Sequence, residues 1–177
     1  MEGENDMKRE MKYPETKTFH FYNANPKGRI TGDCTFRAIS TALGKPWEDV
    51  VMEMAKQSVE TGYSVADKKG IERYLAKNGF VKMPQPKKFD NTKFTGEEFC
   101  KVQQRWLSDK SYHGMRCDHM TISPRIVANI GGNHIVAIMD GKVWDTWNST
   151  DGCIGNYWVE KGLMDSEALN AWGIGGC

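Results

Sequence analysis

The sequence predicts an α+β fold, in which helices from the first part of the chain pack on an antiparallel sheet formed by the last part. Apolar residues recur at helical spacing between about residue 34 and residue 107. After about residue 119, short runs rich in Ile, Val and Trp are separated by turns that contain Gly. A length of 177 residues suits one domain with a sizeable core.

The start of the chain differs in character from the rest. Residues 1–17 are charged and show no apolar periodicity, so we expect a flexible N-terminal arm. Residues 18–177 are expected to form a single domain. Its first element is a short strand within Thr18–Tyr22, where aromatic and polar residues alternate.

Four helices are predicted from apolar spacing and from end signals. Gly44 is a natural C-cap for the first helix, and Pro46 suits the first turn of the second. Thr95 with Glu98 three residues later forms a capping box ahead of the fourth. The predicted helices cover Cys34–Leu43, a segment that begins at Pro46, Val65–Lys77, and a segment that runs to about Leu107. The inward positions of the second and third helices are Trp47, Val50, Val51, Met54, Ile71, Tyr74 and Leu75.

The strands follow a different signal, which is apolar runs bounded by turn residues. Asp140-Gly141 between two such runs is the strongest short hairpin signal in the chain. A two-residue loop there places Ile138 opposite Val143, and Val136 opposite Asp145. The predicted strands are Phe80–Met83, Thr121–Ser123, Arg125–Ala128, His134–Met139 and Lys142–Trp147.

Charge and hydropathy exclude several classes of function. Twenty-four Lys and Arg against 23 Asp and Glu leave a formal charge of +1, which does not favour nucleic acid as a partner. The longest apolar runs fall short of the ~20 residues that a membrane span needs. The first residues are acidic and polar, unlike a secretory signal peptide, so we expect a cytoplasmic protein.

The cysteine pattern indicates a reducing compartment and no structural metal. The five cysteines are odd in number and irregularly spaced, and they include no CxxC pair. Cys117-Asp118-His119, with His113 nearby, offers one half of a zinc site, but the second half is missing. We therefore expect neither a metal nor another cofactor. The cysteines are Cys34, Cys100, Cys117, Cys153 and Cys177.

One cysteine stands where a nucleophile would be activated. Cys34 begins a predicted helix, directly after Gly32-Asp33. A thiol at a helix N-terminus lies beside unpaired backbone N–H groups and the positive end of the helix dipole. Both features favour the thiolate, which is the reactive form of the side chain.

A base and an acid are predicted on one face of the downstream hairpin. His134 and Val136 point to the same face, because side chains alternate along a strand. Asp145 lies opposite Val136 and is therefore a diagonal neighbour of His134 on that face. The register favours Asp145 as the acid that orients His134, whereas Asp140 belongs to the turn and Asp151 lies past the strand. These residues predict a Cys-His-Asp triad for nucleophilic catalysis.

The segment Gly32–Ile39 resembles the nucleophile motif of papain-like cysteine peptidases, and most closely that of the ovarian-tumour (OTU) deubiquitinases. In that motif an Asp-Gly-x-Cys stretch is followed by two apolar or aromatic residues and then by Arg-Ala. Gly32, Cys34 and Phe36-Arg37-Ala38 match it. The segment Cys34–Ala55, together with the hairpin, also looks like a group of small papain-like proteins of phages and bacteria. Two positions depart from the OTU pattern. Thr31 stands where the pattern has Asp, and Thr35 stands where it has an apolar residue.

The resemblance implies a papain-like catalytic domain and assigns roles at the matching positions. Cys34 would be the nucleophile, His134 the general base and then the general acid, and Asp145 the orienting residue. Backbone N–H groups of Cys34 with Gly32 or Asp33 would form the oxyanion hole, and the Asp33 side chain would cap the helix. By analogy with the papain-like glutamine, Asn25 or Asn23 would supply a donor in the substrate cleft.

Trp147 is predicted to lie on the same face as His134, where it would shield the histidine or line the cleft. The leading interpretation is a thiol peptidase or isopeptidase that acts on a protein or peptide through a thioester. The same triad would also serve a deamidase, a transglutaminase or an amidase. A third alternative is a non-catalytic binding module that keeps the fold.

Overall fold

The computed structural model describes residues 10–108 and 124–161. The α+β class is confirmed, with helices and strands in the order β1 Phe19–Phe21, α1 Cys34–Leu43, α2 Trp47–Thr61, α3 Lys68–Lys77, β2 Phe80–Met83, α4 Gly96–Ser108, β3 Ile126–Ile130, β4 His134–Met139, β5 Lys142–Asp145 and β6 Ile154–Glu160.

The strands form one mixed sheet in the order β1-β5-β4-β3-β6-β2. Strand β1 runs parallel to β5, whereas the other neighbouring pairs are antiparallel. The prediction was an antiparallel sheet built from the last part of the chain, and it is wrong in two respects. The sheet is mixed, and two of its strands come from elsewhere in the chain. Strands β1 and β2 come from the first part, and each takes an outer position in the sheet. Local sequence patterns show that these segments are extended, but not which strand they will join.

The helices cover both faces of the sheet. One buried cluster joins α1, α2 and α3 to the face that carries Ile135 and Ala137. A second cluster joins Phe99 and Cys100 of α4 to the face that carries Val136 and Ile138. The α4 helix thus packs on the side opposite to the other three, which corrects the simpler picture of helices packed together on the sheet. Alternation along β4 produces this division, since successive side chains point to opposite faces.

Helix α3 begins later than its apolar pattern suggests. The pattern begins at Val65, but the helix begins at Lys68, because Asp67 is its N-cap. The Asp67 carboxylate accepts the Lys69 N–H at 2.7 Å, which satisfies one of the unpaired donors of the first turn. The inward positions Ile71, Tyr74 and Leu75 are buried as predicted.

The β4–β5 hairpin has the predicted register. Met139 pairs with Lys142, and Ile138 with Val143. The turn residues have positive φ angles, 53° at Asp140 and 68° at Gly141, as a two-residue turn that follows the twist of the strands requires. Strand β5 ends at Asp145, two residues earlier than predicted, and strand β6 was not predicted.

Several predictions fall outside the described residues. They concern most of the N-terminal arm, the strand at 121–123, the half-site at Cys117 and His119, and the last sixteen residues of the predicted domain. Among the helices that the structure does describe, none combines the length and the apolar character that a membrane span needs.

Candidate active site

Three chain segments bring Cys34, His134 and Asp145 together. Cys34 is the first residue of α1, His134 is the first residue of β4, and Asp145 is the last residue of β5. Helix α1 packs on the face of β4 that carries Ile135 and Ala137. Because all three residues lie at the ends of their elements, their side chains meet at one end of the sheet.

His134 and Asp145 form a close hydrogen bond. The Nε2 atom of His134 lies 2.5 Å from Oδ2 of Asp145, as the diagonal position on the hairpin predicts. The Asp145 side chain is 4% exposed. Its carboxylate also accepts the Thr146 N–H at 2.7 Å and the Ser149 hydroxyl at 3.1 Å. These donors stabilise a buried negative charge that holds the imidazole in one orientation.

The Cys34 thiol is hydrogen-bonded to His134 and to the backbone N–H of Ile135. Because Nε2 of His134 is bonded to Asp145, Nδ1 is the ring nitrogen left to serve the thiol. The last β4–β5 pair is Ala137 with Trp144, so the Ile135 N–H faces the β5 side beyond the paired region. Strand β5 ends early enough to leave that donor for sulfur.

The surroundings of Cys34 favour its charged form. Burial raises the pKa of the Cys34 thiol, but the His134 and Ile135 hydrogen bonds outweigh this effect, with help from the positive charges of His134 and Arg37. The net result is that the pKa of Cys34 lies below its ordinary value of 9.0.

His134 shifts in the complementary direction. Burial alone would lower the pKa of this imidazole, but hydrogen bonds to Asp145 and Cys34 raise it from 6.5 to about 9. The lowered pKa of the thiol and the raised pKa of the imidazole both favour the thiolate–imidazolium form of the pair. This pair is the reactive state of cysteine hydrolases.

Arg37 links the two halves of the site, a role that the sequence analysis missed. Its buried guanidinium forms an ion pair with Asp33 and lies 4.0 Å from the Asp145 carboxylate. Arg37 is three residues after Cys34 on α1, so the two residues lie on neighbouring positions of the helix surface. The motif gave the residue, but its partner across the fold is visible only in three dimensions.

Asp33 occupies the N-cap position of α1, but its side chain makes no capping hydrogen bond. The expected cap is therefore wrong. The carboxylate instead accepts from Arg37 and, at 3.1 Å, from Nδ2 of Asn25. As a consequence, the Asp33 side chain does not occupy the N–H groups of the first turn beside Cys34. The oxyanion hole predicted at Gly32 and Asp33 stays a prediction.

Asn25 does not point into a cleft as expected. It is buried, and its side chain holds Asp33 on one side and accepts the Lys27 N–H at 3.0 Å on the other. Its amide therefore supports the hydrogen-bond network of Asp33, the residue before Cys34. The neighbouring Asn23 accepts the Asn25 N–H at 3.1 Å.

Trp147 lies beside the imidazole, as its predicted face requires. Its ring centroid is 5.2 Å from that of His134, and the residue is 38% exposed. The two rings border a shallow cleft with a volume of about 380 Å³. The cleft is lined by Ile130, Gly131, Asn133, His134, Trp147, Ser149, Asp151 and Gly152.

Within residues 10–108 and 124–161, no group of three His, Cys, Asp or Glu side chains is arranged to hold a metal ion. Comparison with protein-family models, with curated protein sequences and with solved structures finds no match. The argument for function therefore depends on the geometry and electrostatics of the site.

Proposed function

We propose that this protein is a cysteine acyl transferase of the thiol peptidase or isopeptidase type, with Cys34, His134 and Asp145 as its catalytic triad. One observation carries the proposal. The Cys34 thiol, with its lowered pKa, is hydrogen-bonded to an imidazole whose pKa is raised to about 9 and whose other nitrogen is held by Asp145. A protein or peptide amide is the substrate class that this chemistry suits.

In the first half-reaction the Cys34 thiolate attacks the amide carbonyl carbon. A C–S bond forms, and the carbonyl electron pair moves to oxygen. When the carbonyl re-forms, the C–N bond breaks and the His134 imidazolium gives its proton to the departing nitrogen. The products are a free amine and a thioester on Cys34.

In the second half-reaction the neutral His134 accepts a proton from water as the water oxygen attacks the thioester carbon. The C–S bond breaks and its electron pair returns to sulfur. The acid is released, and the thiolate–imidazolium pair is restored without any external oxidant or reductant. Asp145 stays ionised throughout, since it orients the imidazole and stabilises its positive charge.

The oxyanion that forms in each half-reaction needs donors beside Cys34. Backbone N–H groups at the start of α1, including that of Cys34, are the proposed donors, and each is worth about 10²–10³ in rate. The absence of a side-chain cap from Asp33 supports this assignment, because a capping carboxylate would compete for the same groups. We also propose that the enzyme acts in the cytoplasm, where a thiol nucleophile stays reduced.

Selective alkylation tests this proposal. At neutral pH, limiting iodoacetamide should modify Cys34 much faster than Cys153, which is exposed, and Cys100, which is buried. Peptide mass spectrometry measures the rate at each site. His134→Ala should slow the reaction of Cys34 sharply, whereas His20→Ala, a histidine outside the triad, should leave it unchanged. Equal rates at Cys34 and Cys153, or no effect of His134→Ala, would refute the proposal.

A further inference from the structure

The cleft beside His134 takes no part in the bond-making steps described above. We propose that this cleft binds a cationic side chain, of the lysine or arginine type, on the leaving-group side of the scissile bond. The inference rests on the proposed acyl transfer and adds a substrate class to it.

The position of the cleft decides which side of the substrate it contacts. It borders His134, but Cys34 is not among its lining residues. During acylation the acyl part becomes bonded to the sulfur of Cys34, whereas the departing amine takes its proton from His134. A surface beyond His134 and away from the sulfur therefore contacts the amine part of the substrate.

The lining of the cleft suits a long side chain with a positive end. Asp151 is exposed and is the one carboxylate among the described residues that line the cleft. The indole of Trp147 also lines the cleft and is partly exposed, and a cation gains from the electron-rich face of such a ring. The same indole offers apolar surface for the methylene stem.

The charges behind the cleft do not oppose this assignment. His134 carries a positive charge, but it is hydrogen-bonded to the Asp145 carboxylate and to the Cys34 thiol. Arg37 is neutralised in the same way, since it forms an ion pair with Asp33 and lies 4.0 Å from the Asp145 carboxylate. The cations at the base of the site are thus matched by anions. Within residues 10–108 and 124–161, Asp151 is the one charged side chain besides His134 that lines the cleft.

Partitioning of an acyl-enzyme between amine nucleophiles tests the inference. By microscopic reversibility, the site that holds the leaving amine also holds an attacking amine. The enzyme acylated at Cys34 by p-nitrophenyl acetate is offered argininamide or citrullinamide, which have the same α-amine but a charged or a neutral side chain. The α-amine attacks the thioester carbon, the C–S bond breaks, and the amine proton passes to His134. We expect argininamide to capture the acetyl group at least about fivefold more efficiently.

Three variants sharpen the result. Asp151→Asn should bring the two amines close to equality, and Asp151→Lys should transfer the preference to the α-amide of glutamic acid. Asp49→Asn removes an exposed carboxylate from α2 and should keep the wild-type preference. Equal capture by the wild type, or a preference that survives Asp151→Asn, would overturn the inference.

Failure of the proposed function is visible separately. In that case mass spectrometry would find no acetyl group on Cys34. Calorimetric titration of the intact protein with each amine then still decides the question. Tighter binding of argininamide that is lost in Asp151→Asn supports a cationic subsite, whereas equal binding contradicts it.

Discussion

Two thiols on helices that pack against the same sheet have pKa values shifted in opposite directions. Cys34 on α1 and Cys100 on α4 lie on opposite faces, and the backbone of Ile135 and of Val143, respectively, acts to lower the pKa of each thiol. Burial raises the pKa of Cys100 to about 12, whereas the pKa of Cys34 is lowered. Cys100 is fully buried and Cys34 only partly, and Cys34 alone has an imidazole, that of His134, beside it. A buried thiol with no cationic partner therefore has a raised pKa, whereas the partly buried thiol beside His134 has a lowered one.

Among variants that keep the Cys34 thiol, the largest expected effect comes from removing the carboxylate that supports His134. In Asp145→Ala, His134 loses the hydrogen bond that does most to raise its pKa, so the thiolate–imidazolium form should be less populated. We expect acyl transfer from p-nitrophenyl acetate to fall by about 10²–10⁴-fold, while alkylation of Cys100 stays slow. Asp49→Asn serves as the control for loss of a carboxylate. A rate within a few fold of wild type in Asp145→Ala would remove Asp145 from the triad.

A substitution at Arg37 tests whether the charge network around Cys34 stabilises the fold as well as lowering the pKa of the thiol. Arg37→Met leaves the buried Asp33 carboxylate without its cation and leaves Asp145 with His134 alone, so it should lower the free energy of unfolding by about 3–5 kcal/mol. Chemical denaturation measures this change. In the folded variant the pKa of Cys34 should rise, because the charge of Arg37 lowers it in the wild type. Arg37→Lys should restore part of both quantities, and no loss of stability in Arg37→Met would contradict the network.

Alkylation, turnover and stability should each depend on pH as the shifted pKa values of Cys34 and His134 require. Alkylation of Cys34 should develop below the ordinary thiol pKa of 9.0, and turnover of an amide should decline as pH rises through about 9, where His134 loses the proton that the leaving amine needs. The raised pKa also predicts that His134 adds stability below its unfolded pKa of 6.5 that is lost as pH rises through about 9. The stability gap between wild type and His134→Ala should therefore narrow above that pH. A gap that widens there would show that the sign is wrong.

The smallest effect is the difference in stability lost when Cys100 or Cys34 is replaced by serine. Cys100→Ser places a hydroxyl among buried apolar side chains and should cost about 1–3 kcal/mol of stability. Cys34→Ser lies in a half-buried, polar setting and should cost less, although it should remove acyl transfer. Thermal unfolding of the two variants makes the comparison, and an equal loss would mean that the two environments do not differ as described.

What could be predicted from the sequence is what depends on neighbouring residues. The capping box of α4 forms as expected, since the Thr95 N–H reaches the Glu98 carboxylate at 2.9 Å and the Glu98 N–H reaches the Thr95 hydroxyl at 3.2 Å. The Asp140-Gly141 turn fixes its own register in the same way, and that register brings Asp145 to His134. Short-range chemistry thus located His134 and Asp145, the proposed base and orienting acid.

What could not be predicted depends on partners distant in the sequence. Asp is a common helix-capping residue, but in the folded chain the carboxylate of Asp33 accepts hydrogen bonds from Arg37 and Asn25 instead. The parallel pairing of β1 with β5 depends on the route of the chain and not on a local pattern. The Ile135 N–H becomes available to Cys34 because β5 ends at Asp145, which no propensity rule reveals.

The most direct measurement is the ionisation of Cys34 itself. Thiolate absorbance is recorded against pH for the wild type and for Cys34→Ala, and the difference isolates this one sulfur. We predict a titration below pH 9.0 that moves upward in His134→Ala. A difference curve with its midpoint at or above that value in the wild type, unaltered by His134→Ala, would contradict the account.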